Sequence, residues 1–147
     1  MDFDTEIKRS IYRHFAETAR RPSAAAVAER SGVGVKDVLA AFARLQEKRV
    51  LVLEPGDGAT IRMAPPFSGV PTQHRVIVAG LTYDANCAWD AMGIPAALHQ
   101  PGIIESRCEQ SREPLHLEVA LDGPGASDWL FHCAVPASHW WDDVVFT

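Results

Sequence analysis

The chain has 147 residues, of which 47% are hydrophobic and 22% charged, and its formal net charge at pH 7 is −5. This length suits one domain or two small ones, and the apolar content allows a core, so a soluble globular protein is expected. No apolar run approaches the ~20 residues that a membrane-spanning helix needs, and the first residues lack the pattern of a signal peptide. Three widely spaced cysteines make no disulfide framework. The composition therefore predicts a cytoplasmic protein with free thiols and no membrane partner.

Charge is distributed unevenly along the chain. Residues 1–64 hold 11 basic and 9 acidic side chains, a balance of +2, whereas residues 65–147 hold 3 and 10, a balance of −7. The change coincides with a Pro-rich stretch at 64–71, which favours a boundary there. We predict two domains, 1–64 and 65–147, and the acidic second domain is a poor surface for nucleic acid.

The first two elements of the N-terminal domain are predicted to be helices. A helix over about 5–19 follows Asp4 or Thr5 as N-cap. Its apolar stripe has fourfold spacing and consists of Ile7, Ile11, Phe15 and Ala19. Ser23 is typical of an N-cap for a second helix over 24–30, and Gly32 closes that helix before a tight turn.

A third helix and a hairpin complete this domain. The helix covers about 35–49, and its buried face is predicted from the spacing of Val35, Val38, Leu39, Phe42 and Leu45. Strands at 50–53 and 60–63, on either side of a turn at 55–58, resemble the wing of a winged helix-turn-helix. We therefore predict a three-helix domain of that kind.

This shape makes DNA binding one hypothesis. A recognition helix contacts bases near its N-terminus, but the third helix begins Val35-Lys36-Asp37. Its cations come late, at Arg44, Lys48 and Arg49. A balance of +2 provides no clear basic stripe. DNA is therefore a less favoured partner, because the same three helices also serve as a packing scaffold.

The second domain reads as short strands around one short helix. A strand is predicted over 75–79 from its β-branched run, and a second over 115–121 from alternating polarity. A third is predicted over 129–135, with Phe131 and Cys133 on one side and His132 on the other. Pro95 is expected to break or restart the helix between them, and 139–143 is typical of a surface helix. The predicted fold class is α+β, with a small mixed or antiparallel sheet and a short Cys-bearing helix.

Cys87 and Asp90, three residues apart, are the candidate reactive groups of this helix. If Asn86 is the N-cap, Cys87 falls in the first turn and shares a face with Asp90. The amides and dipole of a helix N-terminus favour the thiolate, which attacks soft electrophiles and binds soft metals. The spacing alone more often reflects a small buried cysteine and a first-turn aspartate, so a purely structural interpretation stays open.

The sequence around this pair resembles the cysteine motif of the alkylmercury (organomercurial) lyase family, in residues 87–95. Residues 63–76 resemble the linker that enters the family's catalytic domain. Residues 104–119 are similar to its later strand pair, and 131–136 to its final aromatic strand. The resemblance extends through most of the chain.

The resemblance implies protonolysis of a carbon–mercury bond. Thiolates bind the mercury, a carboxylic acid protonates the carbon, and Hg(II) stays on sulfur. It implies that Cys87 is the mercury ligand and Asp90 the proton shuttle, with mercury as substrate and product and no other cofactor. Asp90 would need a raised pKa. The neighbours expected to bury it are Trp89, Met92 and Ile94.

The chain departs from the family at the second catalytic cysteine. The corresponding place holds Ala126-Ser127. Cys133 is the candidate replacement as metal ligand, although a small buried residue is an equally good interpretation. Cys108 matches a family cysteine whose role is structural. The histidines show no HxxxH or CxxC pairing and are expected to be structural or on the surface: His14, His74, His99, His116, His132 and His139.

Three hypotheses follow. The first is an organomercurial-lyase-like enzyme that uses Cys87 and Asp90, with altered activity because the second cysteine is displaced. The second is a non-lyase homologue that binds a thiophilic metal or small ligand in the same pocket. The third is a winged-helix DNA-binding regulator. The sequence decides neither the natural substrate nor the oligomeric state.

Overall fold

The computed structural model describes residues 2–144. Within them lie the α-helices α1 (Phe3–Thr18), α2 (Ala24–Ser31), α3 (Val35–Glu47) and α4 (Ala88–Leu98). The strands are β1 (Val52–Leu53), β2 (Ile61–Ala64), β3 (Phe67–Ser68), β4 (Arg75–Val78), β5 (Leu81–Asp84), β6 (Gly102–Arg107), β7 (Pro114–Ala120) and β8 (Gly123–Pro124). They form a three-stranded sheet, β1-β2-β3, and a five-stranded sheet, β5-β4-β6-β7-β8. All described pairings are antiparallel. The predicted α+β class is confirmed.

The first two helices follow their sequence signals. The stripe on α1 is buried at Ile7, Ile11 and Phe15, and the helix ends where Ala19 adopts a left-handed conformation with φ 57°. Helix α2 begins at its predicted cap, since Ser23 Oγ accepts a hydrogen bond from the Ala26 amide at 3.1 Å. These boundaries are determined by nearby residues, because capping groups and apolar spacing both act within a few turns.

Helix α3 differs from its prediction at both ends. Val35 was expected in the core but is 44% exposed, because it begins the first turn beyond the edge of the packed face. Ala41 lies on that face instead and is completely buried. The helix ends at Glu47 rather than 49, because Arg49 is left-handed with φ 59°. The β1–β2 hairpin follows as expected, and the identity of this half as a winged helix stays a prediction.

Asp4 ties the start of α1 to the end of α3. Its side chain is only 8% exposed. It accepts hydrogen bonds from Arg44 Nη2 at 2.7 Å and from Lys48 Nζ at 2.8 Å. These hydrogen bonds lower the pKa of Asp4 from 3.8 to about 2. Two of the three basic residues near the C-terminus of α3, Arg44 and Lys48, are therefore already paired within the protein.

This ion cluster predicts a pH-dependent contribution to stability. Because the folded pKa of Asp4 is depressed, its contribution is complete above 3.8 and is lost as the pH falls toward about 2. Arg44 and Lys48 are about half exposed, so solvent screening reduces the contribution to about 1 kcal/mol. Asp4→Asn should lower the free energy of unfolding by this amount at pH 7 and by almost nothing at pH 2, measured by urea denaturation. Glu17→Gln, which removes an exposed ion pair with Arg30, should have a smaller effect and is the control.

Phe67 on β3 joins the two halves of the chain. β3 pairs with β2, and Phe67 also forms a β-bridge with Ala85. Its ring stacks on Phe15 of α1 at 5.3 Å between centroids and lies 5.7 Å from the ring of Tyr83. Buried residues from both halves form one hydrophobic cluster. The division of the chain into domains 1–64 and 65–147 stays a prediction.

Helix α4 packs closely against the five-stranded sheet. A Cβ built on Gly102 would lie 2.8 Å from Val78 Cγ2 and 3.1 Å from Pro95 Cγ, so glycine permits this close approach. Pro95 was expected to break or restart the helix, but α4 continues through it to Leu98. Pro95 is almost completely buried, and this packing offsets the hydrogen bond that proline cannot donate.

The predicted strand over 129–135 is not formed. Residues 125–133 have no strand pairing in the described structure. β8 occupies the edge of the sheet beside β7, and the following chain runs over the surface, with Leu130 90% exposed. An apolar, aromatic run is not sufficient for a strand, because a strand also needs a partner edge. The helix expected at 139–143 is a 3₁₀ turn at Ala137–His139 followed by turns.

Candidate active site

Cys87 lies at the N-terminus of α4. It is the N-cap residue itself, with φ −153° and ψ 179°, and is half-buried. The prediction that Asn86 caps the helix and Cys87 falls in its first turn is wrong by one residue. Asp90 does lie in the first turn, so the thiol and the carboxyl start from neighbouring positions at one end of the helix.

Burial controls the chemistry of Cys87. It raises the pKa of the thiol above its usual value. The backbone N–H groups of Asp90 and Trp89 lower this pKa in part, although no capping hydrogen bond forms on the sulfur. The Asp90 carboxylate raises it further. The helix amides therefore favour the thiolate as expected, but desolvation outweighs them and the net shift is upward.

Asp90 has the environment that a proton carrier needs. Its side chain is half-buried, and burial raises the pKa of its carboxyl. A hydrogen bond from Asn86 Nδ2 to Asp90 Oδ2, at 2.8 Å, opposes this effect. Of the neighbours expected to bury Asp90, Trp89 is 55% exposed and Ile94 is completely buried.

Tyr12 of α1 also lies near the carboxyl. Burial, followed by the charge of Asp90, raises the pKa of Tyr12 to about 12. Its hydroxyl donates a hydrogen bond to the carbonyl of Pro65 at 3.0 Å. Neither Tyr12 nor the role of Asn86 was predicted. The four-residue spacing of Asn86 and Asp90 could have suggested their contact. No local pattern could have connected Tyr12 with Asp90, which is 78 positions away in the sequence.

Cys133 lies on the surface segment that failed to form a strand. It is exposed, and its Sγ donates a hydrogen bond to the carbonyl of Val135 at 2.8 Å. Its proximity is the smallest of the causes that raise the pKa of Cys87, so the two sulfurs are within electrostatic range. Phe131, two residues before Cys133, contacts Trp89, two residues after Cys87, with 5.7 Å between ring centroids. The aromatic contact therefore brings the two cysteine-bearing segments together.

Other candidate ligands are dispersed. Cys108 lies in the β6–β7 turn, where hydrogen bonds from Ser111 lower the pKa of its thiol. Within residues 2–144, no group of three or more His, Cys, Asp or Glu side chains converges to hold a metal ion. Two surface concavities, of about 260 and 290 Å³, lie on the N-terminal helices, and neither is lined by Cys87.

The fold and site define an α+β protein with a half-buried thiol and a carboxyl of raised pKa at one helix end. The family model described as alkylmercury lyase matches residues 67–147, more than half of the chain. The protein belongs to the alkylmercury lyase family.

One solved structure is described as the crystal structure of the mercury-bound form of MerB2. It is 20% identical and has a TM-score of 0.59, with 84% of this chain and 68% of that chain covered. At this identity the likeness shows the fold alone. No curated protein matches the chain. Among the described residues, no helix combines the length and apolar character needed to cross a membrane.

Proposed function

We propose that this protein cleaves carbon–mercury bonds by protonolysis, with Cys87 as the mercury ligand and Asp90 as the proton shuttle. The observation that carries the proposal is the pair itself. A half-buried thiol and a half-buried carboxyl of raised pKa lie three residues apart at the start of α4, in a member of the alkylmercury lyase family. A soft metal ligand beside a proton donor is what this reaction requires.

Because the pKa of Cys87 is raised, its side chain is a protonated thiol when the substrate binds. When the sulfur bonds to mercury, the S–H bond breaks and the proton passes to the Asp90 carboxylate or to solvent. Asp90 then delivers a proton to the carbon bonded to mercury. The electron pair of the carbon–mercury bond forms the new C–H bond, the hydrocarbon leaves, and Hg(II) remains on Cys87. No oxidant or reductant is needed.

Cys133 is proposed as the second mercury ligand, in place of the cysteine that the family has near Ala126-Ser127. Mercury(II) is satisfied by two sulfurs, so a cluster of three ligands is not required. The contact between Trp89 and Phe131 and the electrostatic coupling of Cys133 to Cys87 support this assignment. Cys133 is exposed and can therefore reach a bound ion without leaving a packed core.

Phenylarsine oxide tests this pair of thiols independently of catalysis, because its trivalent arsenic bonds two neighbouring sulfurs and releases water. The unmodified protein should capture one equivalent that resists washing with a monothiol. Cys133→Ser should lose this capture, and Cys108→Ser, whose thiol lies in the β6–β7 turn, should keep it. Mass spectrometry of the intact adduct measures the result. Full capture by Cys133→Ser would remove Cys133 from the site.

A binding protein without turnover is the second candidate, and the absence of cysteine from positions 126–127 favours it. Such a protein would bind phenylmercury stoichiometrically and release no benzene. In that case Ala126→Cys should restore release by supplying the missing thiol. Benzene production from the unmodified protein, followed by gas chromatography, would exclude this candidate.

A further inference from the structure

The Asn86 side chain connects the Asp90 carboxyl to the backbone of the N-terminal sheet. Its Nδ2 donates one hydrogen bond to Asp90 Oδ2 at 2.8 Å and a second to the Phe67 carbonyl at 3.2 Å. A primary amide has two N–H donors, and both are used here. Asn86 therefore spans the gap between β3 and the first turn of α4.

The Phe67 carbonyl fixes the orientation of this amide. A backbone carbonyl can only accept hydrogen bonds, so rotation of the amide would place Asn86 Oδ1 against the Phe67 oxygen and would break both bonds. In the observed orientation Oδ1 is buried, without a partner among the described residues. A buried acceptor without a partner costs free energy. The two hydrogen bonds that Asn86 donates offset this cost.

This orientation favours one Asp90 oxygen as the site of the proton. Oδ2 accepts the N–H of Asn86, and the unprotonated oxygen of a carboxylic acid is the better acceptor, so a proton on the carboxyl is held preferentially on Oδ1. The amide also restrains rotation of the carboxyl. Proton delivery depends on such orientation, because displacement by about 1 Å costs up to about a hundredfold in rate.

The anchor of this arrangement lies in the N-terminal half. Phe67 pairs through β3 with β2, where Ala64 is its register partner. Its ring stacks on Phe15 with an interplanar angle of 7°. The carbonyl that orients Asn86 is thus held by β2 and α1, which both precede the matched family region.

We propose that Asn86 is a positioning residue that holds the Asp90 carboxyl, with Oδ1 free to carry the proton, against a carbonyl fixed by the N-terminal sheet. The inference rests on the proposed function, because it assigns a role in proton delivery. It also gives the N-terminal helices and sheet a role other than DNA binding, because they hold the carbonyl that orients Asn86. It also predicts that loss of Asn86 affects hydrocarbon release and leaves mercury uptake intact.

Asn86→Leu and Asn86→Asp test the inference. Leucine keeps the volume without donors, and aspartate keeps the shape with acceptors only. Both should take up one equivalent of phenylmercury like the unmodified protein and release benzene at least about tenfold more slowly in a single turnover. Gln100→Leu, which replaces an exposed amide after the end of α4, should do neither and is the matched control.

A second measurement does not depend on turnover. The side-chain amide of Asn86 should give protected proton resonances by NMR, and Asp90→Ala should shift them and leave those of Gln100 unchanged. Normal benzene release by both Asn86 variants, or Asn86 resonances indifferent to Asp90→Ala, would overturn the inference and leave the proposed function standing. Failure of the unmodified protein to release benzene would instead overturn the proposed function, and the positioning role with it.

Discussion

Cys87→Ser is expected to abolish the tight binding of organomercurials and therefore all hydrocarbon release. The hydroxyl of serine is a hard donor with little affinity for mercury, so the substitution removes the bond on which every later step depends. Stoichiometric uptake of phenylmercury, followed by mass spectrometry, should fall from one tightly held equivalent to the weak binding of the remaining thiols. Benzene release should fall to the rate of the buffer alone.

The other two cysteines provide the controls for this result. Cys108→Ser should bind and cleave normally, because Cys108 lies in the β6–β7 turn with Ser111 as its neighbour. Cys133→Ser should retain uptake through Cys87 and lose the bidentate hold on the product. Retention of full activity by Cys87→Ser would eliminate the mechanism altogether.

Asp90→Asn is expected to separate binding from chemistry. The thiol remains, so uptake of phenylmercury should be unchanged. An amide cannot supply the proton, and loss of a general acid typically lowers the rate by about 10² to 10⁴. Benzene release in a single turnover should fall within this range. Asp84→Asn, which removes a carboxylate that accepts a hydrogen bond from the Thr72 amide, is the control for loss of a charge outside the site.

The pH dependence of release follows from the two raised pKa values. Above its own pKa Asp90 is ionised, but the Cys87 thiol still holds a proton, because its pKa is raised as well. The pair therefore retains one transferable proton through neutral pH and loses it only in alkaline solution. Benzene release should be flat through neutrality and fall as the pH passes the pKa of Cys87. A decline near the ordinary pKa of a carboxyl would contradict the transfer from thiol to carboxylate.

Asp90→Asn should also change stability in a direction set by the same shift. A carboxyl whose folded pKa is raised stabilises the fold below that pKa and loses this contribution as the pH rises through it. Above that pKa the ionised Asp90 is a half-buried charge that opposes folding. In that pH range the asparagine variant should therefore unfold at an equal or higher denaturant concentration. A marked loss of stability would indicate that Asp90 mainly supports the fold, which is the structural interpretation left open by its spacing from Cys87.

The sequence predicted most of the fold: helices α1 to α3, the β1–β2 hairpin, and strands β4 and β7. It could do so because apolar spacing, the Ser23 cap and turn residues act over a few positions. The apolar, aromatic segment 129–135 was also predicted to be a strand and formed none. Strand formation depends on a free edge in the sheet, and that edge is a property of the assembled fold.

For the site, the sequence alone determined that a thiol and a carboxyl begin the same helix, and its motif indicated the family, since both are properties of neighbouring residues. Only the tertiary structure decided the acid strength of these groups. Burial outweighed the effect of the helix N-terminus on Cys87 and raised the pKa of Asp90. The tertiary structure also brought Phe67, whose carbonyl orients Asn86, and Tyr12, whose pKa rises beside Asp90, to the site. Desolvation and contacts of this kind depend on how distant segments pack, which local spacing does not specify.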